Sequence, residues 1–139
     1  MIDETAVLIA YLGSVGGVTT QVSTRIFGPP GLPSGYTGST KVLVVFCDGS
    51  GMPTDIPYQN LPFQVRCYGD TPSTAHDVYE AVHDALHNVS ATKVTVGATQ
   101  VVLAKAMRIS GPMYLQEPEV GFHFWLARYS VVMGDRVVA

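Results

Sequence analysis

At 139 residues the chain is the size of one domain and can bury a substantial core. Hydrophobic residues make up 47 % of it and charged residues only 14 %, against roughly 25 % charged in an ordinary soluble domain. The excess apolar surface belongs either to a Val- and Ala-rich core or under neighbouring chains. The net charge of −3 comes from 8 basic and 11 acidic residues, and the basic ones never cluster. That excludes the basic stripe with which a tight nucleic-acid binder neutralises phosphates.

The N-terminus, Met-Ile-Asp-Glu, has no positively charged leader, and the apolar run Ala6–Leu12 is too short to span a bilayer. The expectation is a protein that is cytosolic when made, so the match of Asn88-Val89-Ser90 to a glycosylation sequon is chance. Asp3 is placed to cap a first helix over residues 4–13, and Gly13, Gly16 and Gly17 to stop it. With Ala6, Val7, Leu8, Ile9, Ala10 and Leu12, that helix is apolar on nearly every side. Such a helix is buried all round, in its own core or against a neighbouring subunit.

Residues 28–40, GPPGLPSGYTGST, have no periodicity. Lys41 follows Ser39-Thr40 instead of preceding such a pair, so the geometry of a phosphate-binding loop is absent. A flexible arm or hairpin fits this stretch. Lys41–Cys47, KVLVVFC, is a near-continuous apolar strand, followed by the turn segment DGSGMP and an irregular stretch to Asn60. In Pro62–Tyr68, Phe63, Val65 and Cys67 alternate with Gln64, Arg66 and Tyr68, the period of a strand. Cys47 and Cys67, in two predicted strands, read as reduced, buried thiols, too few for a structural zinc cage.

Next comes the main helix. Asp70 or Thr71 can cap it, and Pro72 suits its first turn. Stepping about 100° per residue gathers Ala75, Val78, Tyr79, Ala81, Val82, Ala85, Leu86 and Val89 on one arc. His76, Asp77, Glu80, His83, Asp84, His87 and Asn88 occupy the opposite arc, as in a helix with one face on a sheet and the other in solvent or at a partner. Beyond it, a strand is expected over about Gln100–Ile109, then a loop over Ser110–Glu119. A final strand, Val120–Met133, carries Phe122, Phe124, Trp125 and Tyr129. The order of elements predicts a single α+β domain over residues 1–139, with a mostly antiparallel sheet packed on helices and long loop or hairpin arms.

The run His83-Asp84-Ala85-Leu86-His87 has the two-histidine spacing of a metallohydrolase helix, with Asp where such a mechanism uses Glu. Catalytic zinc needs a third protein ligand in an enclosed pocket, whereas these residues lie on the polar arc and His123 lies in a distant strand. No Ser or Thr sits in a nucleophile elbow, and no Cys–His spacing suggests a nucleophile pair. The reading is therefore no enzyme, no metal and no cofactor, with a small metal-dependent hydrolase on the 83–87 helix as the dissenting alternative.

The strand Phe63–Tyr68, the Gly69-Asp70-Thr71 turn, and the helix from Ala75 to Leu86 together resemble the tail-terminator, or tail-completion, proteins of long-tailed bacteriophages. The likeness extends over the rest of the chain in length and element order. It implies a sheet of about four mainly antiparallel strands and a six-membered ring of identical subunits. It also implies a virion protein that stops growth of the tail tube and joins the tail to the head. The partners so implied are further copies of the chain, the major tail tube protein and a head-completion or connector protein. Genomic DNA would pass through the ring without specific binding, and no membrane is involved. A head-completion or connector protein of the same neck is the structural alternative. Leu8 and Ile9 on the first helix, with Tyr36, Met113, Tyr114 and Leu115 on the arms, are the expected interface residues, because large flexible or amphipathic side chains dominate interface energetics.

Overall fold

The computed structural model describes residues 4–29, 31–47, 58–97, 99–118 and 120–134. In chain order the elements are α1 (Glu4–Gly13), α2 (Gly16–Val22), β1 (Ile26–Phe27), β2 (Val42–Cys47), β3 (Tyr58–Gly69), α3 (Pro72–His87), β4 (Thr92–Val96), β5 (Thr99–Gln116) and β6 (His123–Gly134). The strands form one sheet in the order β1-β2-β3-β6-β5-β4. Among the described residues only β1 and β2 pair in parallel; every other pair is antiparallel. The architecture is α+β. The four main strands β2, β3, β5 and β6 match the expected sheet, and the short β1 and β4 extend it at the two edges.

Strand alternation sorts the sheet into two apolar faces. Leu43 and Val45 of β2, Phe63, Val65 and Cys67 of β3, and Ala127, Tyr129, Val131 and Met133 of β6 point to the main core beneath the helices. From α3, Val78, Tyr79, Val82, Ala85 and Leu86 close that core, as its apolar arc predicts. Thr71 and Thr74 form a reciprocal capping box at the start of α3, and Pro72 sits in its first turn, where its missing N–H costs no bond. The Tyr11 hydroxyl donates to the Ala85 carbonyl at 2.6 Å, tying α1 to α3. Burial pushes the Cys67 thiol up from its ordinary value, while Cys47 is only half-buried.

The helical layer differs from expectation in two ways. Gly16 and Gly17 begin a second helix instead of ending the first, because Val18 and Val22 are fully buried and packing outweighs the low propensity of glycine. Helix α1 buries Val7, Leu8, Tyr11 and Leu12 but leaves Ala10 exposed, so the chain's own core does not cover it all round. The two helices meet at 91°, and no described helix is long and apolar enough to cross a membrane. The expected Asp3 cap and the DGSGMP turn lie outside the described residues. β3 begins at Tyr58, four residues ahead of expectation, and β6 begins at His123 instead of Val120.

The second face of the sheet carries its own smaller cluster. Val42, Val44, Tyr68 and Phe124 are buried there, packed by Leu32, Tyr36 and Phe122 among others. Tyr36 meets Phe122 edge-on at 4.9 Å between ring centres and Tyr68 at 6.0 Å. Its hydroxyl donates to the Thr40 carbonyl at 2.7 Å. The described part of 28–40, expected as a flexible arm or hairpin, is thus folded onto the sheet by Tyr36. Edge-on aromatic pairs contribute about 0.5–1.5 kcal/mol each beyond area burial. Tyr36→Ala is therefore expected to speed amide hydrogen exchange across residues 31–40 and to leave the centres of β3 and β6 protected. Unchanged exchange in 31–40 would show that something else holds the segment.

Candidate functional site

Two features stand out on the surface: the β5–β6 hairpin and the groove between α3 and β5. β5 runs without a break through Ser110–Gln116, the stretch expected as a loop. Its pairing with β6 shifts register between Leu103 and Lys105, between Arg108 and Ser110, and between Ser110 and Met113. Pro112, which has no N–H to give a ladder, sits in the last of these bulges. Gly111 has φ +88°, and a Cβ there would come within 2.7 Å of the Leu126 carbonyl oxygen. Only glycine lets the strand cross so closely. The turn is closed by Glu117 N–H on the Phe122 carbonyl (2.8 Å) and Gly121 N–H on the Glu117 carbonyl (2.9 Å). The Tyr68 hydroxyl donates to Glu117 at 2.8 Å, pinning the turn to the centre of the sheet.

Among the described residues, this hairpin carries the exposed large apolar side chains. Met107, Ile109 and Met113 are each more than half exposed, and Tyr114, Leu115 and Val120 join them. Met113 pairs with Leu126 and Leu115 with Phe124. Residues directly opposite in an antiparallel pair share a face, so Met113 and Leu115 lie on the face away from the helices. Tyr114 pairs with Trp125 and points to the helix side. Beyond Leu103, β5 has no β4 residue opposite it, so its outer edge is free of β4 along the hairpin.

Side chains of α3 line the second feature. His83 shares a hydrogen bond with the Tyr129 hydroxyl (2.8 Å), and the Arg108 guanidinium donates to the Tyr79 hydroxyl (2.9 Å). Burial, then the neighbouring Tyr79 hydroxyl, pushes the Tyr129 phenol well above its ordinary value, so it stays neutral at physiological pH. A groove of about 540 Å3 lies here, lined by His83, His87, Lys105, Arg108 and Tyr129 among others. Ring contacts run from His87 through His83, Tyr79, His76, Trp125 and Tyr114 to His123, with centre separations of 4.7–5.9 Å. The Trp125 indole N–H also donates to the Pro72 carbonyl at 2.9 Å. All four histidines therefore lie along one line that joins α3 to the hairpin. No three His, Cys, Asp or Glu side chains among the described residues are grouped as a metal would need.

The predicted interface residues thus divide. Leu8 is fully buried in the chain's own core, which takes it off the outer face, whereas Ile9 is half-buried and keeps part of its side chain at the surface. Tyr36 packs inward. Met113, Tyr114 and Leu115 are exposed together on the hairpin. Arg108, which lines the α3–β5 groove, and its hydrogen-bond partner Tyr79 were not singled out from sequence. Their contact depends on the bulged register of β5, for which the sequence carries only the Gly111-Pro112 signal.

No protein-family model and no curated protein sequence matches the chain. Among solved structures, a chain from the virion of a native gene transfer agent particle superposes with a TM-score of 0.61. The fold is shared with a virion component. The two are 15 % identical, and the match covers 94 % of each chain. A second solved chain matches with a TM-score of 0.51 at 14 % identity, over 94 % of this chain and 96 % of the other. At such identities the likeness is one of fold.

Proposed function

We propose that the chain is a structural protein of a phage-like virion that closes the end of a tail tube as a ring of identical subunits, a tail terminator that stops tube elongation and presents a face to the head connector. The reading rests on one observation above the others: nearly the whole chain shares its fold with a chain of a gene transfer agent virion. The low charged fraction supports it, as do the exposed apolar side chains of the β5–β6 hairpin. On this reading the chain works in the virion without catalysis or cofactor. Its partners are further copies of itself, the tail tube protein and a head-side connector, and DNA passes through without sequence-specific contact.

The test is co-assembly with the tail tube protein of the same particle. The wild-type chain is expected to give rings of one mass by native mass spectrometry and tubes of bounded length by electron microscopy. Met113→Asp combined with Leu115→Asp should leave circular dichroism and melting close to wild type, because exposed substitutions usually change stability by no more than about 0.5 kcal/mol. The same pair should abolish ring formation or tube capping. Tubes that grow unchecked beside a monomeric or dimeric wild-type chain would overturn the terminator reading. Binding to a head-side connector without any effect on tube length would assign the chain to the connector end of the neck.

A further inference from the structure

The wet side of α3 has two flanks of opposite charge. Toward α2, Asp77, Glu80 and Asp84 line a groove of about 390 Å3 that no Lys or Arg among the described residues lines. Toward β5, Lys105 and Arg108 line the groove of about 540 Å3 together with His83 and His87, and no carboxylate among the described residues lines it. Asp77 and Asp84 are exposed, and neither forms an ion pair among the described residues; Glu80 lies 3.1 Å from His76. Arg108 donates to the Tyr79 hydroxyl and forms no ion pair with a carboxylate among the described residues, so its charge is not offset there. Two patches of opposite sign therefore sit on different sides of one helix.

We infer that the acidic flank of α3 in one copy seats in the basic α3–β5 groove of the next. A patch that pairs with a different patch on an identical chain makes a head-to-tail contact, and such contacts close into rings when the rotation permits. The chain's net charge of −3 makes copies repel in most orientations, so this local match selects the orientation of approach. The inference rests on the ring reading above and names which surfaces meet in it.

Charge reversal separates the two. Asp77→Lys with Asp84→Lys reverses the flank, and Lys105→Glu with Arg108→Glu reverses the groove. Lys105→Glu with His87→Glu serves as a second groove variant that keeps the Arg108–Tyr79 hydrogen bond. Each variant, checked for fold by circular dichroism, is studied by native mass spectrometry alone and with the tail tube protein. Alone, each should lose self-association by on the order of a hundredfold or more, because like charges then face each other. A one-to-one mixture of flank and groove variants should recover the wild-type mass, since both contacts of an alternating ring are again complementary. Wild-type rings from either folded variant alone, or no recovery on mixing, would overturn this interface and leave the ring intact as a reading. A wild-type chain that stays monomeric with and without the tube protein would overturn both.

Discussion

Leu86→Ala is expected to cost about 2–5 kcal/mol of stability, the range for removing a large buried side chain and leaving a cavity, while His87→Ala leaves stability nearly unchanged. Leu86 is fully buried in the main core and His87 is exposed, although the two are adjacent in sequence. The difference arises from the 100° step between them, which carries one residue into the core and the next to the groove rim. In urea melts the Leu86 variant should show a lower midpoint at an unchanged slope, and its melting temperature should fall by several degrees or more. Equal destabilisation by the two substitutions would mean that α3 does not bury the face described. His87 also lines the groove proposed to receive a second copy, so a stable His87→Ala chain allows assembly to be measured apart from folding.

How far the fold was legible follows from where the physics is local. The apolar arc of α3 and the alternation in β3 are set by neighbouring residues, and both elements form as the sequence predicts. α2 was hidden because its two leading glycines read as a stop, while its stability comes from Val18 and Val22 buried under tertiary packing. β1 is two residues long, and β4 buries only Val94, so neither carries a periodic signal above its surroundings. The hairpin was read as a loop because Gly111 and Pro112 usually end strands. Here a bulge absorbs both, and the strand resumes with Met113 and Leu115 on one face and Tyr114 on the other. The exposed Met113–Leu115 patch was visible as side-chain character alone. The charged groove was not, since Arg108 reaches Tyr79 across 29 residues and through a register that only the folded sheet defines.

Gly69→Ala is the second substitution expected to have a large effect, and it tests what the Gly69-Asp70-Thr71 turn does. A Cβ at Gly69 would lie 2.5 Å from the Ala75 amide nitrogen, 2.6 Å from the Thr74 hydroxyl oxygen and 2.9 Å from the Ala75 Cα. Two of those atoms belong to the backbone of the first turn of α3, so no side-chain rotation can make room. The whole start of the helix must move. Such overpacking costs about 1–3 kcal/mol, occasionally more, and loss of the Thr71–Thr74 capping box adds about 1 kcal/mol. Thr71→Ala alone should show the capping contribution, and Gly69→Ala should exceed it in denaturant melts. An alanine variant as stable as wild type would mean that the strand end does not abut the helix this closely. The consequence reaches the surface as well. The turn sets the angle at which α3 leaves β3, and α3 forms one wall of both the acidic and the basic groove. A Gly69→Ala chain that still folds should therefore associate more weakly than wild type even where its exposed residues are all unchanged. Thr71→Ala, which frays the helix end without pushing it away from the strand, should associate nearly normally once folded.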